Sequence, residues 1–257
     1  MSPGSAETVS RVVWVTGAGK GIGRALALRL AGDGWTVAAS ARTEADLKRL
    51  EADCPSGRIH AFPLDTTNLA QTMITVDVIE NRLGPLTLAI LNAGTHIPMP
   101  VEAFSPETVR TLVETNLMGT VNSVESVIHR FIERKGGHIA VVASLAGYRG
   151  LPTSAAYGMT KAGLINMCEA LKPELDAHNV RMTLINPGFV ETPLTDKNDF
   201  PMPFLISVDA AVDYIMRGLH GNAFEVAFPR RFAWLMKVLR LLPDWAFFAV
   251  TRRMIRT

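Results

Sequence analysis

Short apolar runs alternate along the chain with longer stretches whose apolar positions recur every three to four residues. Arg11–Thr16, Thr36–Ser40, Arg58–Leu64, Leu86–Leu91, Gly137–Ala143, Val180–Asn186 and Phe224–Phe228 have the length and β-rich or apolar character of strands. Between them, Ile22–Leu30, Glu44–Ala52, Leu69–Leu83, Pro106–Arg134, Ala155–Ala177 and Val208–Leu219 read as helices. In the first of these helices Ile22, Ala25, Leu26 and Leu30 share one face. The run Leu86–Leu91 reads as a strand covered on both faces. Alternation this regular predicts right-handed crossovers, hence an α/β fold: a doubly wound parallel sheet in three α/β/α layers. Residues 1–228 are expected to form this single domain, with 229–257 as a helical extension. Ligands of such a sheet bind beyond the carboxyl ends of its strands, which makes the residues just after each strand the ones to inspect.

Composition narrows the class. The chain has 257 residues, 48% apolar and 19% charged, enough for a packed core and too apolar for a disordered chain. A net charge of +2 argues against a nucleic-acid binder. Cys54 and Cys168 lie in no CxxC or Cys/His cluster, so neither a disulfide framework nor a metal site is expected. Met1–Ser10 is small and polar and does not read as a signal peptide, which points to a reducing cytoplasm.

After the first strand comes Thr16-Gly17-Ala18-Gly19-Lys20-Gly21-Ile22-Gly23. Glycines there let the backbone turn tightly and approach a pyrophosphate, while the following helix offers free N–H groups and positive potential. At the first strand–helix junction the pattern predicts a Rossmann-like dinucleotide site. The second strand bears on which dinucleotide. An acid near its end commonly holds a ribose 2′-hydroxyl, but this strand ends in Ala41-Arg42. A guanidinium can bind a 2′-phosphate bidentately, and Lys20 adds a second cation, so NADP(H) is favoured over NAD(H). Glu44 and Asp46 read as first-turn helix residues.

Tyr157 and Lys161 are four apart on a predicted helix and share a face. Ser144 follows a buried strand at the ligand-binding edge. With the glycine turn, these residues make the sequence resemble the short-chain dehydrogenase/reductase family, from about Arg11 to Phe228. Thr16–Gly23 resembles the family's coenzyme turn, Asp65 (beside Thr66) its adenine contact, and Asn92-Ala93-Gly94 the motif closing its fourth strand. Asn116, Ser144, Tyr157 and Lys161 resemble its catalytic tetrad; Pro187-Gly188, Val190 and Thr192 resemble its nicotinamide-side loop. The resemblance implies an oxidoreductase moving a hydride between NADP(H) and a carbonyl or secondary alcohol, working as a homodimer or homotetramer. The alternative is an NADP-binding regulatory or scaffold protein without turnover; the intact tetrad argues against it.

The residue types suit that chemistry. Reducing a carbonyl needs a proton on oxygen as well as a hydride on carbon. A free tyrosine has a pKa of about 10, and a neighbouring ammonium lowers it, the place expected for Lys161. Tyr157 is then general acid in reduction and general base in oxidation, with Ser144 holding the reacting oxygen. By resemblance, Lys161 also binds the nicotinamide ribose and Asn116 supports a water linking Lys161 to solvent. A structural role for Asn116 at a helix bend is compatible with this. Asp65 and Thr66 are equally good candidates to cap the next helix. His96, Tyr148 and Phe189 are candidate substrate contacts, as are Arg149 and Pro152 for shape. Pro193–Ser207, with apolar Phe200, Met202, Phe204 and Leu205, sits where the family places a lid, which points to a hydrophobic substrate.

Residues 229–257 hold seven basic residues (Arg230, Arg231, Lys237, Arg240, Arg252, Arg253, Arg256) and one acid, Asp244, so the remainder of the chain is net acidic. Phe232, Leu235, Met236, Leu239 and Leu242 recur at helical spacing, and Trp245–Ile255 gives a second short helix. No apolar run is long enough to span a bilayer. Two readings stand side by side: a helix lying in a membrane interface, or helices packed on the substrate mouth or on a second subunit.

Overall fold

The structure, a computed structural model, describes residues 11–195 and 202–255. Seven strands, β1 (Val12–Thr16), β2 (Thr36–Ala41), β3 (Ile59–Pro63), β4 (Leu86–Leu91), β5 (Gly137–Val142), β6 (Val180–Pro187) and β7 (Glu225–Phe228), form one sheet in the order β3-β2-β1-β4-β5-β6-β7, with every pair parallel. The connecting helices are α1 (Gly21–Gly32), α2 (Glu44–Ala52), α3 (Leu69–Leu83), α4 (Pro106–Leu112), α5 (Gly119–Glu133), α6 (Ala155–Ala177) and α7 (Val208–His220). This is the doubly wound α/β/α arrangement expected from the alternation. The order reverses between β1 and β4, and their carboxyl ends flank the crevice where such sheets bind ligands.

β1 explains why the apolar runs lack alternation. All five of its residues are buried. Val12 and Trp14 pack with Val76, Ile79, Phe131 and Leu164 on one side; Val13 and Val15 pack with Leu26, Leu47 and Ile215 on the other. The sheet is sandwiched between two apolar cores. Side-chain caps fix several helix starts: Ser105 accepts from the Thr108 N–H at 3.2 Å and Ser207 from that of Ala210 at 3.2 Å. α3 is capped by Asn68, whose Oδ1 accepts from the Gln71 N–H at 2.9 Å, so neither Asp65 nor Thr66 caps it.

The helix predicted over Pro106–Arg134 is interrupted. Between α4 and α5, Val113–Met118 is a π-turn centred on fully buried Asn116. The cause is long-range. The Asn116 amide bonds to both backbone groups of Thr95, accepting from the N–H at 2.7 Å and donating to the carbonyl at 2.9 Å. It also donates to Thr160 Oγ1 at 3.2 Å. Swelling the turn aims this side chain at the loop after β4 and at α6.

Beyond β7 the chain forms α8 (Arg230–Leu241) and α9 (Asp244–Arg252). Phe232, Ala233, Met236, Leu239 and Phe247 join the same core as Trp14 and Phe131. Arg149 locks the α8–α9 turn. Its guanidinium donates to the carbonyls of Leu239 (3.2 Å) and Leu242 (2.5 Å), pairs with Asp244 (2.6 Å), and lies 3.9 Å over the Phe247 ring. Among the described residues no helix is long and apolar enough to cross a membrane.

Candidate active site

Thr16 and Asn92 stitch the sheet's switch point together. The Thr16 hydroxyl accepts from the Asn92 and Ala93 N–H groups at 3.0 and 3.1 Å. The Asn92 amide donates to the carbonyls of Thr16 and Gly17 at 3.2 and 3.3 Å. Glycine is required in this weave. Gly17 has φ +65°, and a Cβ there would lie 2.9 Å from Ala93 Cα; a Cβ on Gly23 would lie 2.3 Å from the Gly17 carbonyl oxygen. The turn leaves a cleft of about 240 Å³ lined by Gly17, Gly19, Lys20, Arg42, Asp65 and Thr66, with Ala93 and Gly94 on its far side. Gly21, with φ +53°, and Ile22 carry the chain into α1.

The cleft's charges are specific. Arg42 follows β2, is exposed and has no ion pair among the described residues. Lys20 lies 3.3 Å from Asp46, and Asp46 also pairs with Arg49 at 2.6 Å. Asp46 is thus more than a first-turn helix acid: it is buried and lines the cleft, with its charge compensated from two sides. Sequence position gave no warning, because the acid lies one helical turn past the end of β2. Asp65 lines the cleft while its carboxylate accepts from the Thr67 N–H (3.0 Å) and hydroxyl (2.9 Å). Thr66 is buried, and its carbonyl accepts from Asn122 at 2.9 Å.

Ser144, Tyr157, Lys161 and Asn116 meet at the carboxyl end of β5. Ser144 Oγ accepts from the Ala146 N–H at 3.1 Å, donates to the Pro187 carbonyl at 3.4 Å, and hydrogen-bonds with the Tyr157 hydroxyl. Lys161 is buried, donates to the Val142 carbonyl at 2.9 Å, and lies 5.7 Å from the Tyr157 ring centre. Its burial lowers the ammonium pKa to about 8. Burial also pushes Tyr157 above its ordinary value, opposed by the Ser144 bond. The direction is opposite to the one expected from a nearby ammonium, because desolvation outweighs the Ser144 bond. Gly94 brings the backbone close: a Cβ there would be 3.3 Å from Asn116 Oδ1 and 3.6 Å from Lys161 Nζ. The close glycine backbone, the open cleft and the cations at its end fit a phosphate-bearing dinucleotide.

The substrate candidates divide. His96 packs edge-on against Tyr157 with ring centres 4.7 Å apart. Phe189 stacks on Phe232 at 5.6 Å, and Phe204 stacks on Phe232 at 5.7 Å. Tyr148 is buried, and its hydroxyl donates to Glu225, which also binds Asn186 (2.8 Å) and Lys237 (2.5 Å). It ties the loop after β5 to β7. Gly188 admits Phe232, since a Cβ there would lie 2.7 Å from the Phe232 ring. Val190 bridges to Ile206, and the Thr192 methyl lies 3.2 Å from the Cβ position of Gly21, closing the loop over the coenzyme turn. Of the expected lid, residues 196–201, Phe200 included, lie outside the described residues. Sequence reading missed Thr160, and it placed Phe232 on the apolar face of the tail helix without its contact to Gly188 and Phe189. Thr16 reads as the first residue of the coenzyme turn, and its bonds to the Asn92 and Ala93 N–H groups, 76 and 77 positions away, have no local signal.

A family profile described as short chain dehydrogenase matches residues 11–201. An "Uncharacterized oxidoreductase" of Myxococcus xanthus is 37% identical over 97% of this chain and 99% of its own. The 3-oxoacyl-acyl-carrier-protein reductase FabG of Thermotoga maritima is 31% identical over 84% of this chain and 87% of its own. A short chain dehydrogenase from Burkholderia cenocepacia, solved in complex with NADP, superposes with a TM-score of 0.81 at 29% identity, covering 96% of this chain and 98% of that one. The chain belongs to the short-chain dehydrogenase family and is an oxidoreductase of that type.

Proposed function

We propose that the chain is an NADP(H)-dependent carbonyl reductase or alcohol dehydrogenase acting on a small hydrophobic substrate, as a homodimer or homotetramer. The observation that carries this reading is the meeting of Ser144, Tyr157 and Lys161 beside a glycine-lined cleft that ends at Arg42. The dinucleotide would lie along Gly17–Gly23 and Asn92–Gly94, with Asp65 and Thr66 near its adenine and Pro187, Gly188, Val190 and Thr192 at its nicotinamide end. Bound there, it supplies the hydride. Tyr157, protonated at neutral pH like any tyrosine of ordinary or raised pKa, gives its proton to the carbonyl oxygen, and Ser144 holds that oxygen against it. Lys161 anchors the ribose side and Asn116 fixes the loop behind it. The apolar side chains of Phe189 and Phe204, which stack on the buried Phe232, support the choice of an apolar substrate.

Arg42 and Lys20 support NADP(H), as does the NADP-bound Burkholderia relative. Arg42→Ala is expected to weaken NADPH binding by roughly tenfold or more and to leave NADH binding nearly unchanged, read by fluorescence titration. Equal weakening of both would remove the cofactor assignment. The reaction itself is tested by NADPH oxidation against aldehydes and ketones of increasing chain length and ring count. Wild-type turnover should rise with hydrophobicity. Tyr157→Phe should lose roughly a hundredfold or more in turnover while keeping NADPH affinity. Turnover insensitive to Tyr157 would refute the mechanism.

A further inference from the structure

The outer surface of α8 and α9 has no part in the hydride chemistry. α8 is apolar on two opposite sides. Phe232, Ala233, Met236 and Leu239 enter the core, while Trp234, Val238 and Leu241 line up at i, i+4, i+7 on the other side. Trp234 is 69% and Leu241 84% exposed. α9 repeats the pattern: Phe247 and Thr251 are buried, whereas Trp245 is 77% exposed and Phe248 50%. A helix seated on a water-soluble domain needs one apolar stripe, not two. Of the seventeen exposed large hydrophobic side chains among the described residues, eight fall within residues 234–255, which makes this a patch and not scatter.

Charge identifies what the patch faces. Lys237 is engaged by Glu225, and Asp244, the segment's one acid, by Arg149. Arg230, Arg231, Arg240, Arg252 and Arg253 are exposed and form no ion pair among the described residues. Two-fold pairing with a second copy would set these arginines against themselves with no acid to answer them. An anionic lipid surface answers them directly, and exposed tryptophans beside arginines suit the headgroup boundary. We propose that α8 and α9 dock this protein on an anionic bilayer surface, with Trp234, Leu241, Trp245 and Phe248 in the headgroup–acyl boundary and the five arginines against lipid phosphate.

The test is co-sedimentation of the full chain with phosphatidylcholine vesicles and with phosphatidylcholine–phosphatidylglycerol vesicles, at low and high salt. Wild type should pellet with the anionic vesicles only, release in high salt, and shift its tryptophan emission to the blue on binding. Trp234→Ser/Trp245→Ser should lose roughly tenfold or more in vesicle affinity. Arg230→Gln/Arg231→Gln should lose roughly fivefold per arginine. Both variants should melt like wild type, since none of these side chains is in the core. Three results overturn the proposal: a wild type that stays in the supernatant, variants that pellet as wild type does, or a tryptophan variant that breaks a wild-type oligomer in the ultracentrifuge without changing vesicle binding.

Discussion

Lys161, which the proposed mechanism places beside the nicotinamide ribose, is also a side chain that costs stability. Its amine is buried with one protein partner, the Val142 carbonyl, and its pKa falls to about 8 from the ordinary 10.5. Below pH 8 the folded and unfolded states are both protonated, and the full cost of the buried charge is present. Between 8 and 10.5 the folded state sheds its proton first, so the cost fades as pH rises. The shift corresponds to about 3 kcal/mol, against about 1 kcal/mol for the hydrogen bond. Lys161→Met is therefore expected to stabilise the protein by about 2 kcal/mol at pH 7 and to lose that advantage by pH ~10.5, read from denaturation midpoints. A pH-independent difference would mean that the amine is not desolvated. At this scale the sequence was informative. A tyrosine and a lysine four apart, a serine after a strand and a glycine turn are local patterns, and the fold brings them together. Tyr148 was not legible in the same way. Its partner Glu225 lies 77 positions away, and nothing local distinguishes a tyrosine that braces a strand from one that touches substrate.

The elements were legible where their period is sustained, and less so where a distant contact overrides it. All seven strands fall within a residue or two of their expected spans. The region Pro106–Arg134 reads as one long helix, with a bend at Asn116 as one reading; that the bend is a swollen turn depends on Thr95 and Thr160, which hold the Asn116 amide from far away in sequence. Asn68 displaced Asp65 and Thr66 as the cap of α3, a two- or three-residue shift that several good capping residues in a row leave open. The α8–α9 turn depends on one long-range residue, Arg149. Arg149→Met takes the guanidinium off the Phe247 ring and leaves the carbonyls of Leu239 and Leu242 without their donor. It should lower stability by about 2 kcal/mol and speed amide exchange in α9 ahead of the sheet. Uniform exchange across the molecule would show that the turn is held by other contacts.

For the whole molecule, the extension and the sheet share one core. Phe232, Met236, Leu239 and Phe247 are each at most 8% exposed. At roughly 2 kcal/mol per buried side chain their contribution is comparable to the roughly 5–15 kcal/mol that holds a typical domain together. A chain ending at residue 228 is expected to lose its cooperative melting transition, whereas Trp234→Ser in the full chain should leave it in place. A truncated chain that melts like the full one would make α8 and α9 an appendage.

The π-turn at Val113–Met118 also bears on how this chain tolerates change in length. A π-turn holds one residue more than the α-helical turn that could replace it. Deleting any one of the five residues around Asn116 in that turn would let α4 run straight into α5 with better backbone hydrogen bonds. Asn116 would then be swung off Thr95 and Thr160, and the loop after β4 would lose its tether. Here the shorter chain makes the better helix and the longer one keeps the site. A single-codon deletion is thus far more dangerous at this point than in the loops, although helix stability alone would favour it.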